Sequence, residues 1–162
     1  MYLARVITLS DKGYMGERLD TSGPALVEML KSVGFAPESD PVILPDTWSL
    51  IESNLKQSVK DGIALVLTTG GTGVSPRDIT PDVTRTIIEK EIPGMAEAMR
   101  SASSQKTPHA MISRALVGIA GKTLIVNLPG SRKGATENLE AIIPALMHAV
   151  EKIHGDPTDC GG

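Results

Sequence analysis

Short apolar runs alternate along the first half of the chain with segments whose apolar residues recur every three or four positions. The runs predict strands, and the third run is continuous enough to be covered on both faces: Leu3–Leu9, Pro41–Leu44 and Ile63–Leu67. Two helices are predicted between them, one from the cap sequence Thr21–Pro24 to Gly34 and one on the repeating Ile51, Leu55 and Val59. Strands that alternate with helices in this way favour right-handed crossovers and a parallel sheet.

The second half of the chain is predicted to contain more helix. One helix begins at Thr80–Asp82, where a cap residue, a proline and an acid stand in order, and we expect Pro93–Gly94 to stop it. Apolar residues at helical spacing predict a further segment from Met95 to Ala102. The last helix runs from about Gly134 to Ile153, and we expect Pro144 to kink it or divide it in two.

A hairpin precedes the last helix. Ala115–Ile119 and Thr123–Val126 are apolar runs joined by Ala120–Lys122, which favours one antiparallel addition to the sheet. The fold class that follows is α/β, a three-layer α/β/α arrangement with a mostly parallel mixed sheet and one antiparallel hairpin strand. We expect a single domain over residues 1–154 and a flexible tail over residues 155–162.

Composition narrows the range of functions. The chain has 162 residues, 41% of them hydrophobic, which suffices for one sizeable core, but only 2% are aromatic and the formal net charge is -3. Aromatic side chains that could stack on bases are therefore scarce, as is basic surface, and we expect no nucleic-acid partner.

No apolar run is long enough to cross a bilayer, so we expect no membrane association. The single Cys160 has no internal disulfide partner, and a cytoplasmic protein is the default expectation. We give the terminal Gly161–Gly162 no functional weight.

The segment with most chemical content follows the third strand. Gly70, Gly71 and Gly73 give the backbone freedom to point several N–H groups into one concavity, which is how proteins cradle phosphate. Hydroxyl residues are interleaved with them, and Arg77 and Asp78 add a cation and a carboxylate able to hold a hard metal ion. No Gly-Lys-Ser/Thr follows, and Pro76 stands where a third glycine of a dinucleotide fingerprint belongs, so the sequence supports neither a Walker NTPase nor a dehydrogenase.

Polar clusters follow four strands at equivalent places: Ser10–Asp11, Pro45–Thr47, Thr68–Asp78 and Asn127–Lys133. Because ligands of open parallel sheets bind outside the carboxyl ends of the strands, we expect these clusters to form one composite site. Two alternatives stay open. Asp46 is either a helix cap or a functional carboxylate, and Asp78 contacts a metal or ligand unless it merely ties down Arg77.

The pattern Thr-Thr-Gly-Gly-Thr-Gly-x-x-x-Arg-Asp-x-Thr-Pro-Asp at Thr68–Asp82 resembles that of the molybdopterin adenylyltransferases of molybdenum-cofactor biosynthesis. The resemblance spans nearly the whole chain. It includes Ser10–Asp11, Pro45–Asp46, Pro93–Met95, Met99–Arg100, Ser113–Arg114 and Asn127–Gly130. The glycine-acid segment is its most specific part.

The resemblance implies a homotrimer that binds molybdopterin and ATP with Mg2+, transfers AMP to the terminal phosphate of the pterin and releases pyrophosphate. It assigns catalysis and the metal to Asp46 and Asp78. It assigns pterin or phosphate contacts to Gly70, Gly71, Thr72, Gly73, Ser75, Asn127, Pro129, Gly130 and Ser131. Candidates for the nucleotide are Ser10, Asp11, Arg77 and Lys133. A molybdate-insertion enzyme of the same pathway is the implied partner.

The residue inventory is consistent with this chemistry. A phosphate monoester, with its second pKa near about 6, is already an oxyanion at neutral pH, so no histidine or cysteine is needed to activate it. The alternative is a non-catalytic molybdopterin-binding or scaffold protein of the same pathway. Two carboxylates beside phosphates favour catalysis, because mere binding of phosphate tolerates fewer of them.

Overall fold

The computed structural model describes residues 1–157, in which a seven-stranded sheet has helices on both faces. The strands are β1 Leu3–Leu9, β2 Ala36–Pro37, β3 Val42–Leu44, β4 Leu65–Thr69, β5 Lys90–Glu91, β6 Val117–Ala120 and β7 Thr123–Leu128. The helices are α1 Asp11–Tyr14, α2 Ser22–Ser32, α3 Trp48–Lys60, α4 Thr80–Ile87, α5 Pro93–Ser104 and α6 Arg132–Ile153, with a 3₁₀ helix at Pro108–Ile112. Within residues 1–157, no helix has the length and hydropathy needed to span a membrane.

The sheet is mixed, as predicted. Its order is β2-β1-β4-β7-β6-β5, with β3 also pairing with β1. The pairs β1–β2, β1–β3, β1–β4 and β4–β7 are parallel, whereas β5–β6 and β6–β7 are antiparallel. The predicted hairpin is therefore present, and its second strand, β7, is a central parallel neighbour of β4.

Two hydrophobic clusters lie on opposite faces of the sheet. The larger one packs α2, α5 and α6 against side chains of β1, β4 and β7, such as Val6, Leu67 and Val126. The smaller one packs α3 and α4 against the other face, where Val66 and Ile125 point. Alternate residues of the same buried strands thus pack against the helices on the two faces of the sheet, which confirms the three-layer arrangement.

The structure corrects several boundaries of the predicted elements. The helix from Thr80 ends at Ile87 rather than at Pro93–Gly94, because Lys90–Glu91 leaves it to pair with β6, and Pro93 begins α5 instead. Pro144 lies inside α6 without dividing it. The two-residue strand β2 and the single turn of α1 are too short to give a periodic signal. The predicted domain boundary at residue 154 stays a prediction, and Cys160 with the terminal glycines lies outside the described residues.

Strand register places the four polar clusters side by side. Leu9 of β1 pairs with Leu44 of β3, and Thr8 pairs with Thr69 of β4, which in turn pairs with Leu128 of β7. All four strands are parallel, so their carboxyl ends meet at one rim of the sheet. The loops that begin at Ser10, Pro45, Gly70 and Pro129 therefore leave the sheet next to one another, as the sequence predicts.

Candidate functional site

The glycine loop, residues 70–79, folds back on the start of α4. Gly70 has a φ of +108°, and a Cβ there would lie 2.3 Å from the carbonyl oxygen of Leu9. Gly71 has a φ of +67°, and a Cβ there would lie 2.2 Å from Oγ1 of Thr80. Thr80 closes the turn, since its hydroxyl donates to Gly70 O at 2.9 Å and its N–H donates to Gly71 O at 3.1 Å. Glycine is required at both positions by backbone conformation and by space.

The loop keeps backbone donors available for a ligand. The N–H of Gly70 donates to Leu128 O at 3.0 Å, which ties the loop to the end of β7. In contrast, the N–H groups of Gly71 and Gly73 donate to no protein acceptor among residues 1–157. Backbone donors that are left open in a glycine-rich loop are suited to hold an anion.

The loops at the rim enclose a cleft of about 730 Å³, called the rim cleft here. It brings together ten of the residues singled out in the sequence: Ser10, Asp11, Asp46, Gly70, Gly71, Ser75, Arg77, Asp78, Gly130 and Ser131. It is also lined by polar residues outside the predicted set of site residues: Thr8, Lys12, Arg18, Asp20, Thr21, Ser22, Thr69 and Arg132, of which Thr69 and Arg132 belong to the predicted polar clusters. The composite site predicted from the four clusters is therefore one cavity.

Asp46 carries the most unusual group in the rim cleft. Its Oδ1 is buried and has no hydrogen-bond partner within residues 1–157, and a Cβ on Gly71 would lie 3.0 Å from it. Burial raises the pKa of this carboxyl, the negative charges of Asp11 and Asp78 raise it further, and Arg77 acts against them. Asp46 does not cap a helix, since the N-cap of α3 is Thr47. A buried acceptor without a donor indicates a place for a proton or a cation.

Asp11 and Arg77 form an ion pair at the edge of the cleft. Nε of Arg77 donates to Oδ2 of Asp11 at 3.0 Å, and Nη2 donates to both carboxylate oxygens at 2.7 Å. These bonds lower the pKa of Asp11 and raise that of Arg77. Arg77 thus pairs with Asp11 rather than with Asp78. The side chain of Ser10 also has a partner within the protein, because its Oγ accepts the N–H of Gly13 and caps α1.

Asp78 is held by its own loop. Its Oδ2 accepts the N–H of Ser75 at 2.9 Å, and its N–H donates back to Ser75 O at 3.0 Å. A Cβ on Gly73 would lie 2.8 Å from Oδ2, so any other residue there would displace this carboxylate. One oxygen of Asp78 is thereby oriented while the side chain still lines the rim cleft.

Asp46 and Asp78 together are a donor set that fits Mg2+. Both line the same cleft, and the charge of Asp78 is close enough to affect the pKa of Asp46. No group of three or more His, Cys, Asp or Glu side chains in residues 1–157 is arranged to hold a metal. Mg2+ is commonly bound by only one or two carboxylates together with substrate phosphates and water, so two acids beside an anion cradle suffice.

A second, smaller cavity of about 280 Å³ lies on the other side of the glycine loop. We call it the side cavity. Three further residues of the predicted site, Thr72, Gly73 and Pro129, line it, and Ser131 lines both cavities. Its remaining wall comes from α5, the 3₁₀ helix and the first turns of α6, including Arg100, His109 and Asn138. The predicted pterin and phosphate residues are thus divided between two adjoining spaces.

Two residues of the predicted site are placed elsewhere. Asn127 is fully buried, and its amide donates to Oγ1 of Thr68 and to Oγ1 of Thr84, both at 3.0 Å. It fastens β7 to β4 and α4 and lines neither cavity, because the first residue after the apolar run still belongs to the strand. Lys133 is exposed and lines neither cavity, whereas its neighbour Arg132 lines the rim cleft. The direction of a side chain at a helix start follows from helix phase, which the sequence alone does not give.

Asp20 lines the rim cleft and is absent from the predicted site, although its position beside a helix start is a signal that the sequence contains. It precedes the predicted helix start at Thr21–Pro24, and its Oδ1 accepts the N–H groups of Ser22 and Gly23, each at 3.0 Å. Its Oδ2 accepts the hydroxyl of Thr8 at 2.7 Å. Thr21 itself makes no side-chain cap bond. An acid beside a helix start is a standard cap signal, and here it also ties the helix to the end of β1.

Residues 5–148 match the family described as "Probable molybdopterin binding domain". The chain belongs to this family. Among members that it resembles is the molybdopterin adenylyltransferase of Helicobacter pylori strain J99, 41% identical over 153 residues, which cover 93% of this chain and 87% of the relative. The molybdopterin adenylyltransferase of Escherichia coli K12 is 39% identical over 152 residues, 93% of this chain and 77% of the relative.

Solved structures of this family have the same fold. The molybdopterin biosynthesis enzyme MoaB of Thermus thermophilus superposes with a TM-score of 0.89 at 44% identity, covering 98% of this chain and 100% of that one. Other relatives are much longer. The chain spans 25% of the molybdenum cofactor synthesis protein cinnamon of Drosophila melanogaster and 23% of gephyrin of Dictyostelium discoideum.

Proposed function

We propose that this member of the molybdopterin-binding family is a molybdopterin adenylyltransferase, which transfers AMP from ATP to the terminal phosphate of molybdopterin and releases pyrophosphate. The observation that carries the proposal is the buried, unpartnered Oδ1 of Asp46 beside Gly71, whose N–H has no protein acceptor within residues 1–157. A cation site and an anion site that share one cleft suit a metal–polyphosphate substrate. The names of relatives at about 40% identity support the same activity.

The two cavities suit two substrates. The rim cleft is the larger and holds both acids together with the cations Lys12, Arg18 and Arg132, so we assign it to the triphosphate. The side cavity has hydroxyl and amide groups around an apolar lining, which suits a pterin ring. Ser131 lines both, at the place where the terminal phosphate of the pterin must approach the α-phosphorus of ATP.

The roles of the residues follow from charge and position. The attacking phosphate is already ionised at neutral pH, so the protein has to orient it rather than remove a proton from it. The N–H groups of Gly71 and Gly73 are suited to hold phosphate oxygens, and Asp46 and Asp78 would hold Mg2+. When bound, this ion neutralises charge that develops on the departing pyrophosphate. Arg77 is aligned by Asp11 at the edge of the same cleft, where it can share that charge.

Further aspects of the proposal rest on the family. A homotrimer and the cytoplasm are the assembly and the compartment that we propose. The relatives in which a matching segment belongs to a longer chain include a molybdenum cofactor biosynthesis bifunctional protein of Chlorobaculum tepidum, of which this chain spans 48%. Such chains support a partner that consumes the adenylylated product, namely a molybdate-insertion enzyme.

The test is pyrophosphate release from ATP when molybdopterin is added with Mg2+. We expect one pyrophosphate per adenylylated pterin and no release when Mg2+ is removed with EDTA. Molybdopterin that binds without any release of pyrophosphate would instead favour the non-catalytic binding or scaffold protein. Thr69 offers a conservative control, because its hydroxyl donates to Pro129 O at 2.6 Å and Thr69→Ser, which keeps this donor, is expected to keep activity.

A further inference from the structure

Arg114 lies between the 3₁₀ helix and β6 and lines neither the rim cleft nor the side cavity. Its backbone N–H donates to Thr72 O at 2.8 Å, so its main chain is already fastened to the glycine loop. Its side chain then reaches further along the same loop. Nε donates to Gly73 O at 2.7 Å, and Nη2 donates to Asp78 O. One residue therefore holds carbonyl groups at both ends of the segment 72–78.

The guanidinium of Arg114 is itself oriented by Asp82 in the first turn of α4. Nη1 lies 2.9 Å from Oδ1 and 3.0 Å from Oδ2, and Nη2 lies 3.0 Å from Oδ2. This pairing raises the pKa of Arg114 and lowers that of Asp82, so both groups are charged at neutral pH. These contacts come from three nitrogens of one planar group, and a lysine, whose donors all lie on a single nitrogen, cannot reproduce them in this geometry.

Of the two carbonyls that the Arg114 side chain holds, one belongs to Asp78 itself and the other to Gly73, which lies beside the Asp78 carboxylate. Gly73 provides the space beside Oδ2 of Asp78, and the Ser75 N–H in the same segment donates to that oxygen. A shift of either carbonyl moves this carboxylate relative to Asp46. We propose that Arg114 is a positioning residue that fixes the Asp78 carboxylate in the rim cleft without touching substrate. This inference rests on the proposed adenylyl transfer.

The test compares Arg114→Lys with a matched control, Arg85→Lys. Arg85 lies on α4 and also pairs with an acid, Glu91 at 3.0 Å, but its side chain makes no hydrogen bond to the glycine loop in residues 1–157. Steady-state kinetics, expressed per folded molecule, are measured for both variants with ATP, molybdopterin and Mg2+. We expect Arg114→Lys to lower kcat about tenfold or more, as displaced catalytic groups do, while KM for ATP changes less than about twofold. Arg85→Lys should leave both unchanged.

Amide hydrogen exchange provides a readout that does not depend on activity. The N–H groups of Ser75, Asp78 and Thr80 are bonded within the loop at 2.9, 3.0 and 3.1 Å. In Arg114→Lys these amides should exchange faster, while those of α3 keep their wild-type rates. A wild-type protein that releases no pyrophosphate contradicts the proposed function, and the exchange experiment still decides whether Arg114 holds the loop.

Chemical rescue separates positioning from a general loss of stability. Adding guanidinium ion at millimolar concentration to Arg114→Ala should restore part of kcat, and the same addition to Arg85→Ala should have no effect. If Arg114→Ala does not fold, the kinetics and exchange of Arg114→Lys decide alone. Wild-type kcat in Arg114→Lys, or equal losses in Arg114→Lys and Arg85→Lys, would overturn the inference. So would unchanged exchange at Ser75, Asp78 and Thr80.

Discussion

The backbone N–H of Asp46 donates to Oδ1 of Asp11 at 2.9 Å. The same carboxylate accepts Nε and Nη2 of Arg77, so Asp11 links the loop after β1, the loop after β3 and the glycine loop. Both of its oxygens accept protein donors, so Asp11 organises the cleft, and its contact with nucleotide stays a prediction. Its charge also acts on Asp46, whose own Oδ1 has no donor within residues 1–157.

Removing the charge of Asp11 should lower the pKa of Asp46. Asp11→Asn keeps an oxygen that can accept the Asp46 N–H, but it removes a negative charge beside Asp46, and this loss favours ionised Asp46. Carboxyl carbon NMR during a pH titration measures this pKa directly. Asp61→Asn is a suitable control, since Asp61 pairs with Arg5 and lies outside the set of residues that line the rim cleft. An Asp46 pKa that is the same in Asp11→Asn and wild type would contradict this role of Asp11.

Asp46→Asn should stabilise the protein in the absence of Mg2+. The folded state raises the pKa of Asp46, so it binds more protons than the unfolded state between the usual carboxyl pKa and the raised one. The free energy of unfolding therefore falls as pH rises through that window and stays lower above it. Asparagine avoids this cost, and we expect an increase in Tm of about 1 to 3 °C at neutral pH, measured by scanning calorimetry. A lower Tm for Asp46→Asn under these conditions would contradict the expectation.

The same variant tests the metal assignment. Mg2+ should raise the Tm of the wild-type protein at neutral pH, because it binds only the folded state. The increase should fade as pH drops through the Asp46 pKa, and Asp46→Asn should lack it at every pH. Scanning calorimetry with and without Mg2+ measures both effects. Equal stabilisation of wild type and Asp46→Asn by Mg2+ would remove Asp46 from the site.

Asp78→Asn should abolish turnover while sparing pterin binding. Asparagine retains an acceptor for the Ser75 N–H, so the loop keeps its shape, but the charge needed for the cation is lost. We expect kcat to fall about 100-fold or more, as loss of a transition-state charge contact does. Pyrophosphate release measures kcat, and fluorescence titration with molybdopterin measures binding. Normal turnover in Asp78→Asn would rule out its catalytic role.

Asn127→Ala should affect stability rather than chemistry. The substitution leaves the buried hydroxyls of Thr68 and Thr84 without the amide that now donates to them. A loss of about 2 kcal/mol in the free energy of unfolding is expected, which corresponds to a Tm lower by roughly 4 to 8 °C for a chain of this size. Urea unfolding and kinetics per folded molecule are the measurements. A large rise in KM with unchanged stability would restore Asn127 to the binding site.

The sequence is most informative where one physical rule decides the outcome. The buried strands, the hairpin and the shared rim follow from apolar runs and from the parallel topology, and the structure confirms all three. Gly70 and Gly71 stand out in the sequence itself, and their positive φ angles and close contacts explain why glycine stands there. Such features are local, so the residues that cause them stand together in the chain.

The pairing of the acidic side chains with the arginines depends on contacts between distant parts of the chain. The sequence leaves open whether Asp78 ties down Arg77, its neighbour, but the partner of Arg77 is Asp11, which comes from another strand end. From its position Asp82 serves the start of α4, yet its carboxylate also holds Arg114, 32 residues further on. Which acid meets which arginine is set by packing, and no periodic pattern records it.

In the proposed function, Asp46 and Asp78 hold one divalent cation between them in the rim cleft. The most direct test of this arrangement is a crystal structure of the protein with Mn2+ and a non-hydrolysable ATP analogue, in which anomalous scattering locates the metal. We expect one peak, bonded to a carboxylate oxygen of each aspartate and to phosphate oxygens of the nucleotide. A nucleotide bound with its metal away from both aspartates would contradict it.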